Sequence, residues 1–173
     1  MSCNIRVKSS RLPDAKVSEM DFLESSFFRN GGPSRSLPTP AEVRALSAPN
    51  RTLPQPTPVR FEELNLLVKF GPHVTPTEAQ CLWMIRKELQ GQVPVPEVYG
   101  WRIDGAETFI YMQLVQGDTL RDRWDSLSYS DKTAVCQQLR QITISLRQLE
   151  QDQDELFIGK SLISFSAIYV NSL

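Results

Sequence analysis

An α+β fold, an antiparallel sheet with one packed helix and the first helices of a second lobe behind it, is predicted by three observations on this 173-residue sequence. Two strand-like apolar runs, Val59-Arg60-Phe61 and residues 64–70, precede an amphipathic stretch from Pro76 to Leu89. A second pair of strands, about 97–103 and 108–115, is joined through Asp104-Gly105, a strong hairpin dipeptide. From Ser130 to Glu150, Val135, Leu139, Ile142, Leu146 and Leu149 then recur at helical spacing. Strands collected ahead of helices mark layered α+β architecture.

Taken in order, residues 1–36 show little periodicity, and Asn30-Gly31-Gly32-Pro33-Ser34 is a run of breakers. They are expected to be a disordered or loosely attached arm. Thr39 caps a short helix with Pro40 at its first position, where a missing N–H costs nothing, and Val43 and Leu46 are its expected buried residues. Pro49, Pro54, Pro56 and Pro58 force an extended connection. The second strand is apolar almost throughout, as a buried strand must be. Glu78, Leu82, Ile85 and Leu89 form the stripe of the next helix. Val93-Pro94-Val95-Pro96 stops it and leads into the hairpin, and Thr119 caps a short helix reaching Trp124. The expected organisation is an arm (1–36), a sheet lobe with a linker (37–117), the start of a helical lobe (118–159) and a divergent tail (160–173).

Composition removes several classes of function. With 19 Lys and Arg against 20 Asp and Glu, net charge is −1, and no basic block offers a footprint for nucleic acid. No apolar run reaches the ~20 residues of a membrane span, and the mixed charges of the first twenty residues argue against a signal or transit peptide. Cys3, Cys81 and Cys136 are odd in number and lack metal-type spacing, so they read as reduced thiols of a cytoplasmic protein. Trp83, Trp101 and Trp124 read as packing residues. The single histidine, His73, follows Gly71-Pro72 and reads as a solvated loop residue, and Asp152-Gln153-Asp154 as a solvated helix end; no metal site is expected.

Chemistry concentrates in Val68-Lys69-Phe70-Gly71 and the helix that follows. Lys69 ends an apolar strand, where its ammonium is either aimed at nucleotide phosphates or snorkels to water. Glu78 shares a face with Leu82 and Ile85 and so points toward the sheet that carries Lys69. Thr75, Pro76 and Glu78 also fit a capping box, which explains the same residues without a ligand. An acid beside the lysine would fix its flexible stem. The strand around Met112, Gln113, Leu114 and Val115 exits into Gln116-Gly117. It is either an edge strand with a loop or an apolar slot whose main chain reads an adenine ring.

Together with Glu78-Ala79-Gln80-Cys81-Leu82-Trp83, the run 93–101 (VPVPEVYGW), Phe109-Ile110-Tyr111-Met112 and Gly117-Asp118-Thr119-Leu120, the lysine motif resembles the aminoglycoside phosphotransferase family, in its fungal kinase-like branch. The similarity covers residues 37–159. It implies a protein-kinase-like N-terminal lobe, then an incomplete helical C-terminal lobe. Intact members use ATP and magnesium to phosphorylate a hydroxyl on a small molecule. Carried over, Lys69 binds the α- and β-phosphates, Glu78 pairs with it, and Met112, Gln113, Leu114 and Val115 form the adenine-binding hinge.

The departures from the family are as specific. Its His-Gly-Asp catalytic loop and later metal-binding aspartate have no counterpart, and no glycine-rich phosphate loop lies between Leu53 and Leu64. The sequence therefore reads as truncated before the catalytic loop, with no catalytic residue, and the chain is expected to be inactive. A non-catalytic nucleotide-binding or protein-interaction module is the alternative. The exposed face of the 130–150 helix would then seek a partner or a second copy.

Overall fold

A computed structural model gives the structure and describes residues 4–32, 34–47 and 58–151. The elements are β1 (Ile5–Val7), β2 (Glu19–Asp21), α1 (Ser26–Gly31), α2 (Pro40–Ser47), β3 (Val59–Phe61), β4 (Leu66–Gly71), α3 (Pro76–Leu89), β5 (Val98–Asp104), β6 (Glu107–Gln113), α4 (Leu120–Arg123), α5 (Tyr129–Leu146) and β7 (Leu149–Gln151). The fold is α+β. The described chain divides into a sheet unit, residues 13–83 and 96–114, and a helical unit containing residues 4–12, 84–95 and 115–151.

The sheet unit is a five-stranded antiparallel sheet in the order β2-β5-β6-β4-β3. β5 and β6 turn through the two residues Gly105-Ala106, between the paired Asp104 and Glu107. Gly105 stands at φ +65°, where a side chain would be strained. Each face of the sheet carries its own core. Leu66, Val68 and Phe70 of β4 pack with Val43, Tyr99, Phe109 and Tyr111, whereas Leu67 packs with Ala79, Trp101, Ile110 and Met112 on the side of α3. Burial on both sides explains why β4 is apolar with almost no alternation. Lys69 is its one half-exposed residue, on the Leu67 side.

The second core corrects the expectation of a single packed helix and of a loose arm over 1–36. α1 and α2 contribute Phe27 and Val43 to the face opposite α3, and Phe22 is buried on the α3 side. β2 adds a strand beside β5, with Met20 opposite Trp101. The pairing is close: a Cβ built on Gly100 would lie 2.2 Å from the carbonyl oxygen of Met20. A three-residue strand carries too little periodicity to be read from sequence. Its partner residues lie 79–83 positions further along the chain, so the hydrogen-bonding edge that orders it is invisible locally. Residues 4–12 and 84–95 group with the residues after 115.

α2 also departs in detail: Val43 is buried, but Leu46 is 58% exposed. Residues 48–57, with Pro49, Pro54 and Pro56, lie outside the described residues, as do Cys3, Asp152, Asp154 and the tail 160–173.

In the helical unit, α5 starts at a capping box made by Ser128 and Asp131 and buries Val135 and Ile142. It ends at Leu146 and not at Glu150. Leu149-Glu150-Gln151 leave the helix to pair in parallel with Ile5-Arg6-Val7, and Ile5 N–H donates to Gln148 O at 2.7 Å. On the expected apolar face of α5, Val135 and Ile142 are buried and Ile144 is 42% exposed. No helix among the described residues is long and apolar enough to cross a membrane.

Candidate functional site

Lys69 and Glu78 meet. The ammonium Nζ lies 2.5 Å from Glu78 Oε2, with the two side chains 31% and 28% exposed. β4 supplies the lysine and the first turn of α3 supplies the acid, so two rigid elements set the contact. Ala79, the residue after Glu78, is fully buried against the sheet. A methyl group at that point lets α3 approach closely, which brings the carboxylate within reach of the strand. An exposed ion pair contributes little to stability. Its effect here is positional, since it restrains a four-carbon stem that would otherwise sample many rotamers.

The pairing decides between the two sequence readings of Glu78. Three other helices open with a hydroxyl residue followed three positions later by an acid, and each uses the acid locally. Thr39 N–H and Oγ1 donate to Glu42 Oε2 at 2.7 and 2.8 Å at α2. Thr119 Oγ1 donates to Asp122 Oδ2 at 2.6 Å at α4, and Ser128 Oγ to Asp131 Oδ2 at 2.6 Å at α5. At α3 the same pattern, Thr75 to Glu78, forms no such bond, and the carboxylate turns to Lys69. Among the described residues, Thr75 N–H and Oγ1 have no hydrogen-bond partner. The signal that would have found this is the repeated Thr-Pro-x-Glu of α2 and α3, with a strand lysine beside only one of them.

The field of Glu78 reaches one turn further. Cys81 has its thiol pushed up, first by burial and then by the nearby Glu78 carboxylate. Gln80, also in this turn, donates to Pro13 O at 2.8 Å and ties α3 to the chain ahead of β2.

The expected hinge residues behave differently from one another. Met112 and Leu114 bury their side chains in the α3-side core, with Leu67 opposite Met112 in the register. Gln113 N–H donates to Glu97 O at 2.8 Å, and Leu114 N–H to Asn65 O at 3.1 Å. Those two donors are therefore already satisfied, and Val115, half-buried, is the remaining residue of the four. His73 is exposed. Trp101 is fully buried and donates from Nε1 to Val17 O at 3.0 Å, while Trp83 stacks on Phe22 at 6.0 Å. Trp124, 37% exposed, lies under Lys132. No three His, Cys, Asp or Glu side chains converge into a metal site among the described residues.

Compared with protein-family models, curated proteins and solved structures, the chain matches none of them.

Proposed function

We propose that this chain binds ATP through Lys69, as the phosphate-holding part of a kinase-like small-molecule phosphotransferase of the aminoglycoside phosphotransferase type. The observation that carries the reading is the diversion of Glu78 from its helix cap to Lys69. A cation held at a half-exposed position on a rigid strand suits a polyphosphate. Its geometry is set before binding, so less entropy is lost when the phosphate arrives. The strand order, with the lysine strand between β3 and β6, supports the comparison with a kinase-like lobe, and the helices α1 and α2 on the face opposite α3 are an addition to it.

In phosphoryl transfer the protein mainly positions groups and neutralises charge. Lys69 would place positive charge on the α- and β-phosphates, and Glu78 would keep it aimed there. The N–H groups of Gln113 and Leu114 are satisfied within the protein and are not open to an adenine ring. Magnesium finds no cluster of three ligating side chains among the described residues. Activating the acceptor hydroxyl needs a further base. The only histidine, His73, is followed two positions later by Thr75 and not by an aspartate. The reading therefore gives this chain nucleotide binding without transfer of its own, in the cytoplasm where ATP is present.

Calorimetric titration of the 173-residue chain with ATP tests it. Lys69→Ala is expected to weaken ATP binding roughly tenfold or more, the value of a charge-assisted hydrogen bond, with unchanged circular dichroism. Equal affinity of the two proteins would overturn the assignment. ATP-dependent phosphorylation of a small-molecule hydroxyl by the purified chain would overturn its non-catalytic half.

A further inference from the structure

We infer that residues 13–22 are a strap that sets the roll of α3, and that Gln80 and Trp83 are positioning residues which hold Glu78 against Lys69 through it. The inference rests on the functional reading above for what the pair engages, the phosphates of ATP. The strap itself is read from contacts within the sheet unit.

The segment runs from Pro13 through β2 to Phe22, and α3 and β5 hold its main chain. Gln80 Nε2 of α3 donates to Pro13 O at 2.8 Å, and Trp101 Nε1 of β5 donates to Val17 O at 3.0 Å. Ile103 N–H donates to Ser18 O at 2.7 Å, and Arg102 Nη1 to Met20 O at 3.0 Å. At the far end Phe22 N–H donates to Tyr99 O at 2.9 Å. The Phe22 ring stacks on Trp83 of α3 at 6.0 Å and meets Trp101 edge-on at 5.7 Å. Val17 and Met20 pack against the same core as Leu82 and Trp83. The segment is thus tied to α3 at both ends and to β5 along its length.

Successive residues of a helix are about 100° apart. Ala79, fully buried, faces the sheet, with Glu78 on one flank and Gln80 and Trp83 on the other. The ion pair holds the flank over β4, and the strap fills the space beneath the flank over β5. Without the strap the Gln80 flank is free to sink toward β5, and the same roll lifts Glu78 from Lys69. An ion pair as exposed as this one is a weak tether. Buried, stacked aromatic rings are a stronger one, so the strap decides whether Glu78 stays within reach. A docked strap and bound ATP therefore favour each other, by the same factor in both directions.

Calorimetric titration of the full chain with ATP, together with the 13C resonance of the Glu78 carboxylate, tests this. Gln80→Met keeps the side-chain length and removes the donor to Pro13, and Phe22→Leu keeps an apolar side chain and removes the stack. The two changes together should weaken ATP binding roughly fivefold, the lower end of coupling between sites. They should have no further effect once Lys69 is replaced by methionine. A general loosening of the sheet would lower affinity by the same factor with or without Lys69, and that result would overturn the proposal. In the absence of nucleotide, Lys69→Met should move the Glu78 resonance in the parent chain. It should leave that resonance nearly unmoved in the strap variant, where the pair is already apart; equal movement in the two would also overturn the proposal. Should the paired change not fold, Gln80→Met alone, at a half-buried position, carries the same comparison with a smaller effect. Failure of the parent chain to bind ATP would sink the functional reading instead, and the Glu78 resonance alone then decides the strap.

Discussion

Thr39-Pro40-Ala41-Glu42-Val43 and Thr75-Pro76-Thr77-Glu78-Ala79 are one pattern met twice, on opposite faces of one sheet. Both helices begin at the proline, and in both the residue after the acid is fully buried. At α2 the glutamate closes its own helix end. At α3 it crosses to the strand. The helices have the same local rules, so the difference comes from what each meets. The face under α2 presents Val68 and Phe70 from β4, and the face under α3 presents Leu67 and Lys69. A capping box is the default for this sequence pattern, and one cation on the facing strand is enough to override it.

Disturbing the packing under the two helices should give the largest effects and separate their roles. Ala79→Leu puts three extra carbon atoms where α3 touches the sheet and should cost roughly 1–3 kcal/mol by overpacking. It should also push Glu78 away from Lys69 and weaken the ATP binding proposed for that pair. Val43→Ala leaves a cavity on the other face at a cost of about 2 kcal/mol, with ATP affinity unchanged. Denaturant unfolding and calorimetric titration of both variants check this. Loss of ATP affinity in Val43→Ala, or its retention in Ala79→Leu, would break the division of labour between the faces.

How much of this was legible beforehand differs from element to element. β4, α3 and the β5–β6 hairpin follow from local pattern: an unbroken apolar run, a stripe at helical spacing, and a glycine at a turn. Val43 was readable as buried for the same reason. β2 was not, because three residues hold no pattern and its order comes from the edge of β5. α5 ends four residues before the Glu150 that the apolar stripe predicts: the stripe continues through Leu149, but pairing with β1 takes that residue into a strand. At the site, Lys69 and Glu78 are legible and the resemblance implies their pairing, while the residue pattern alone leaves the helix cap open as a second partner for Glu78. That choice depends on how closely α3 sits over β4, a distance fixed by Ala79 and the core around it.

Smaller effects should appear at the caps. Thr39→Ala removes a hydroxyl that both gives and accepts a hydrogen bond at the start of α2, and should cost about 1 kcal/mol. Thr75→Ala removes one that does neither, and should fall within a few tenths of a kcal/mol of the parent protein. The two unfolding curves, measured side by side, sharpen the comparison. Equal losses would show that the α3 cap is occupied in solution and that Glu78 is not held by Lys69.

The smallest effect is the dependence of α2 on acid. Glu42 titrates below the ordinary value of 4.5, first because Thr39 N–H donates to its carboxylate and then because the Thr39 hydroxyl does, with burial acting weakly the other way. A carboxyl with a lowered native pKa adds stability that is fully present above 4.5 and fades as pH falls through the lower native value. Because Glu42 is open to solvent, the change should be slight and best seen at the residue itself. Following the Glu42 carboxyl by NMR from pH 6 to pH 2 should place its midpoint below that of an unstructured glutamate. Thr39→Ala should raise the midpoint toward 4.5, because the hydroxyl contribution goes while the backbone N–H remains. A parent midpoint at or above 4.5 would mean that the box at α2 is open, and with it would go the standard against which α3 differs.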